Sequence, residues 1–158
     1  MGGVLPYAVV LAVLGGATWW LLSRDMVAGR WLLAALLIGH GVVHVMFAAV
    51  SPATTEGGPE WPFDMAKSWA VTAGGVDLNV LRAVGVALIA SVAGGFTLAA
   101  LATVGVIVPP SWWQAAVGGS ALASALVLVL FFNPQLVLGL GIDAVLLWAV
   151  ATRAWAPA

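Results

Sequence analysis

Residues 31–50 read Trp31-Leu-Leu-Ala-Ala-Leu-Leu-Ile-Gly-His40-Gly-Val-Val-His44-Val-Met-Phe-Ala-Ala-Val50, with no Asp, Glu, Lys or Arg among them. About 20 helical residues cross the hydrocarbon core of a bilayer, so this stretch predicts a membrane span. Two histidines interrupt it four residues apart. That spacing places both imidazoles on one helical face. An ionisable side chain at membrane depth is costly and marks a site by default.

The rest of the chain has the same character. Of 158 residues, 63% are hydrophobic and 7% are charged, with a mean hydropathy of +1.13, far from the composition of soluble domains. Five apolar runs reach spanning length, at about 4–22, 31–50, 80–106, 113–132 and 136–152. Turn-forming residues divide them, notably Pro109-Pro110-Ser111 and Asn133-Pro134. The runs show no apolar/polar alternation, which argues against a β-barrel. The expected fold is all-α: a single polytopic bundle of about five transmembrane helices over residues 1–158. The first run lacks a basic leader and exceeds a usual signal core, so it reads as a retained span.

Several function classes fall away. A net charge of −1 does not suit nucleic acid, which requires a basic surface. The absence of cysteine removes disulfides and thiolate metal sites. The Gly-Gly pairs lack the Lys-Ser/Thr context of a nucleotide site. The expected partners are therefore the lipid bilayer and other membrane subunits or a homo-oligomer, without nucleic acid or nucleotide.

Positive charge predicts orientation. With five spans, Arg24, Arg30 and Arg153 fall on one side, which makes that side cytoplasmic, the amino terminus external and the carboxyl terminus internal. Trp19, Trp20, Trp31, Trp112, Trp113, Trp148 and Trp155 fall near the same boundary, as an interfacial belt. The 51–79 loop then faces outward. Within it, Phe63, Met65, Ala66, Trp69 and Ala70 have the spacing of a short amphipathic helix on the outer surface. For packing, Ala83, Ala87, Ser91, Gly95, Ala99 and Thr103 place a small side chain at every fourth position, and Ala116, Ser120 and Ser124 of the next span have the same spacing.

Asp143 stands alone in the last apolar run. At 1.5 Å per residue, His44 lies about 9 Å from the outer face, Asp143 about 11 Å and His40 about 15 Å. Arg82 starts the third span, and its long side chain reaches inward. The candidate site is a buried polar pocket of His40, His44, Arg82 and Asp143. His40, His44 and Asp143 together also offer the donors of a zinc or iron site. The Glu of a metalloprotease HExxH is absent, since Gly41 follows His40. Three readings follow from these residues. The pocket binds or transports a small solute or proton; a metal centre acts on a lipid-like substrate; or the polar groups only tie helices together in an accessory subunit.

Overall fold

The structure is a computed structural model describing residues 4–24, 26–49 and 63–157. Its helices are α1 (Val4–Ser23), α2 (Val27–Ala49), the short α3 (Trp69–Thr72), α4 (Leu78–Val104), α5 (Trp113–Leu130) and α6 (Val137–Thr152). No strand occurs among the described residues. Taken with their flanking 3-10 turns, the helices of Val27–Ala49, Leu78–Val104, Pro110–Leu130 and Pro134–Thr152 are long and apolar enough to cross a membrane. The first helix contributes a shorter apolar stretch, Ala8–Ser23. The bundle expected from hydropathy is therefore present, with four full-length spans and one shorter apolar helix.

Local chemistry sets the boundaries. Asp77 caps α4 by accepting from the backbone N–H groups of Asn79 and Val80 at 2.9 and 3.1 Å. Gly105 ends that helix at φ 69°, the left-handed conformation that glycine takes without strain. Asn133 caps the turn before α6 through the Gln135 N–H at 3.0 Å, and Pro134 opens that turn.

The core runs α2–α4–α5–α6, each helix packed on the next, with α1 leaning on α2 alone to any extent. Its centre is Leu33, Leu37, Val92, Phe96, Val117, Ala121, Leu146 and Ala149. Close approach of α2 and α4 rests on Gly41, where an added Cβ would touch the Ala93 backbone and Phe96 at 3.4 Å. The small-residue ladder of α4 is only half a seam. Gly95, Ala99 and Thr103 face the bundle, but Ala83, Ala87 and Ser91 are exposed. A residue at every fourth position turns about 40° per step around a 3.6-residue helix, so a long ladder winds off the contact face. The buried face of α4 is instead Leu81, Gly85, Ile89, Val92, Phe96, Ala99 and Thr103.

The 51–79 loop also differs from a continuous amphipathic helix. Over its described part, a 3-10 turn at Met65–Lys67 is separated from α3 by Ser68, whose hydroxyl caps α3 through the Ala70 N–H. The segment is pinned to the end of α5, because Ser68 Oγ donates to the Leu130 carbonyl and Trp69 Nε1 donates to that of Val129. Phe63 is buried. Residues 50–62 of the loop, including Glu56, Glu60 and Trp61, lie outside the described residues.

The candidate site: a histidine, serine and aspartate network beside an apolar groove

His40 and His44 project from α2, Ser124 from α5 and Asp143 from α6. His40 Nε2 lies 3.0 Å from Asp143 Oδ1. Ser124 Oγ is 2.6 Å from Asp143 Oδ2 and 3.0 Å from His44 Nε2. His44 Nδ1 closes the chain by donating to the His40 carbonyl at 3.0 Å, one turn back on the same helix. His44, Ser124 and Asp143 are buried, while the His40 side chain keeps 8% of its surface open. Polar atoms removed from water must be mutually bonded, and here the side-chain to side-chain contacts join α2 to α6, α5 to α6 and α2 to α5.

Three of the four residues expected in the pocket thus converge. Asp143 is bonded directly to His40 and reaches His44 only through Ser124, whereas counting depth placed it nearer His44. That count took every residue as α-helical; the turn at Pro134–Leu136 is 3-10 and rises about 2 Å per residue, which carries Asp143 deeper. Arg82 does not join. Its side chain is exposed at the start of α4, where the guanidinium keeps its hydration. The metal reading loses its geometric support. Among the described residues no three His, Cys, Asp or Glu side chains are arranged to hold a metal ion. The histidine nitrogens and both carboxylate oxygens that face the centre are taken up by one another and by Ser124.

Ser124 completes the network, a role beyond the packing that its spacing predicts. Its only sequence signal is its place on the small-residue face of α5. A serine in a span bonds its own helix as readily as a neighbour, as Ser120 does to the Ala116 carbonyl at 2.6 Å.

Aromatic rings fill the space between the network and the α3 end of the bundle. His44 meets Phe47 edge-on at 5.5 Å, Phe47 stacks on Phe63 at 4.8 Å, and Phe63 packs against Phe131 at 4.9 Å. The open side lies elsewhere. A groove of about 1010 Å³ runs between α1 and α6 with α2 as its floor, and both His40 and His44 line it. Of its other lining residues only Thr18, Gln135 and Trp155 carry a polar side-chain atom, and the Thr18 hydroxyl is spent on the Leu14 carbonyl. Gly15, Gly16, Gly39 and Gly141 line it with open space where a Cβ would stand. At one end Trp19, Trp148 and Trp155 close ranks, with Trp19 and Trp148 centroids 5.8 Å apart. Trp155 Nε1 is the one buried side-chain nitrogen or oxygen without a partner among the described residues.

Trp113 leaves the expected belt. It is buried, and its Nε1 donates to Thr103 Oγ1 at 3.0 Å. Trp19, Trp20, Trp31, Trp112 and Trp148 are exposed, as interfacial residues are. Compared with known protein families, with curated proteins and with solved structures, the chain matches none.

Proposed function

We propose that this is an integral protein of the cell membrane that binds a lipid-soluble molecule in the groove between α1 and α6, with His40 as the partner of its polar group. The carrying observation is the placement of His40, the one member of the network with open surface, on the wall of an otherwise apolar groove. Ligand sites have this make-up: a concave apolar wall with few polar groups at fixed points. The Phe47, Phe63 and Phe131 cluster favours entry from the membrane over an aqueous path through the outer end, so a water-borne solute is the weaker reading of the same pocket.

The test is photolabelling in lipid vesicles with a diazirine-bearing long-chain fatty acid. Label concentrated on α1, α2 and α6 beside the groove, and lost in Gly141→Leu, supports the reading. Label spread evenly over the lipid-facing helices, unchanged by that substitution, overturns it. Gly141 suits this purpose because nothing stands within 4 Å of where its Cβ would be, so leucine fills the groove without displacing the core.

The mutual bonding of the network favours a second reading, that it only ties α2, α5 and α6 together. On that reading His40→Gln leaves labelling unchanged and lowers stability alone.

A further inference from the structure

Each contact in the network needs one hydrogen, and the ordinary protonation states supply too few. His44 Nδ1 faces a backbone carbonyl, which only accepts, so that nitrogen must carry its hydrogen. A neutral His44 therefore presents a bare lone pair at Nε2. The contact between His40 Nε2 and Asp143 Oδ1 takes the hydrogen of the His40 imidazole. Ser124 has one hydrogen for the two contacts that require it, 2.6 Å to Asp143 and 3.0 Å to His44; its third and longest, 3.4 Å to His40 Nε2, faces a nitrogen that already carries a hydrogen. With Asp143 ionised and both imidazoles neutral, one of those contacts sets lone pair against lone pair in buried surroundings, which is costly.

One additional proton removes the conflict in two ways. It sits on His44 Nε2, which donates to Ser124, which donates to Asp143; or it sits on Asp143 Oδ2, and the donation runs the other way through Ser124 to His44. The heavy atoms are the same in both forms, and two hydrogens shift together across the serine hydroxyl. Both forms bring the network to zero net charge, whereas an uncompensated carboxylate among apolar helices is expensive. The helices supply no other counter-ion. α1, α5 and α6 carry no other Asp, Glu, Lys, Arg or His; on α4 there is only Arg82, which is exposed, and on α2 Arg30 lies about 15 Å along the axis from His40.

We infer that His44, Ser124 and Asp143 share one bound proton and form a relay ending at His40, and that the relay receives a hydroxyl or carboxylic acid donor from the groove. With its Nε2 hydrogen given to Asp143, His40 keeps a bare Nδ1, which has no protein partner among the described residues. A molecule meeting that nitrogen must donate. In the transfer step, which starts from the form with the shared proton on His44 and Asp143 ionised, the ligand's O–H proton moves to Nδ1 while the Nε2 hydrogen moves to Asp143 Oδ1. The ligand becomes the oxyanion, the network gains one positive charge, and no bond to carbon changes. The donor class rests on the groove reading above; the shared proton does not.

The two parts are therefore tested separately. Ligand-free protein labelled with 15N-histidine has two imidazoles to assign, and infrared spectra of the parent and Asp143→Asn report a protonated carboxyl. An imidazolium signal assigned to His44, or a protonated-carboxyl band absent from Asp143→Asn, supports the shared proton and says where it rests. Two neutral histidines with no such band, or an imidazolium at His40 alone, overturns it. Ser124→Ala must move whichever signal is present, because the bridge is gone; spectra unchanged by Ser124→Ala overturn the relay. For the donor class the probes are oleic acid and its methyl ester. The acid should bind on the order of tenfold more tightly, the value of one hydrogen bond to a buried site. Equal binding of acid and ester overturns that part and leaves the spectroscopic result standing.

Discussion

At the scale of single residues, the network converts four side chains into an all-or-none unit. Ser124 is the sharpest case, since its hydroxyl contacts Asp143 and His44 at once. Ser124→Ala removes only one oxygen yet leaves two buried polar atoms without partners. We expect it to cost about 1–3 kcal/mol, read as a lowered midpoint of thermal unfolding in detergent. Ser120→Ala on the same helix, which loses only a bond to its own backbone, should cost clearly less. Equal effects would show that Ser124 contributes by size alone. His40, His44 and Asp143 were legible in the sequence because ionisable groups are conspicuous in an apolar run and each needs a partner. Ser124 was not, because serine serves equally well as a small packing residue. Arg82 is ambiguous in the sequence for a related reason. A long cationic side chain at a helix start can reach water as easily as the core, and sequence does not say which.

At the scale of helices, what hydropathy encodes was legible and what rotation encodes was not. The five apolar runs correspond to α1, α2, α4, α5 and α6, with ends placed by Asp77, Gly105 and Asn133. Which face of each helix turns inward depends on small angular differences, and a spacing of four instead of 3.6 misassigns it within three turns. The ladder of α4 therefore divides into a packed and an unpacked half, and the two halves should respond differently. At Gly95 a side chain would overlap the Ser120 hydroxyl, so Gly95→Leu should destabilise by about 1–3 kcal/mol through overpacking. Ala87→Leu, on the exposed part of the same ladder, should leave the unfolding midpoint close to the parent's. A comparable loss from both would mean that a second seam covers the amino-terminal half of α4. Gly141→Ala is the converse case. It adds a methyl group to open space and removes a helix glycine, for a gain of up to about 1 kcal/mol; a loss would show that the groove wall is closed.

At the scale of the whole molecule, the arrangement of charge and tryptophan implies a direction across the membrane. The ends of α1 and α6 meet through Trp19 and Trp148, and Arg24 lies over the Trp20 ring at 5.5 Å on that side. Arg30 and Arg153 belong to the same end of the bundle, being at the start of α2 and just after α6. Positive residues in short loops are retained in the cytoplasm, so this end should be internal and α3, at the opposite end, external. The absence of cysteine makes the expectation directly measurable with single introduced thiols. Ala73→Cys, exposed between α3 and α4, should react with an impermeant maleimide added to intact cells. Ser111→Cys, exposed between α4 and α5, should react only after the membrane is opened. The reverse pattern would invert the protein, and with it the side of the membrane nearer the relay. A third thiol, Gly3→Cys, tests the first helix, whose described apolar stretch Ala8–Ser23 is the shortest of the set. External labelling there means that α1 crosses the bilayer and forms a transmembrane wall of the groove. Labelling only after permeabilisation means that α1 re-enters or lies along the inner surface, in which case the groove opens toward the cytoplasmic leaflet and its ligand enters from that side.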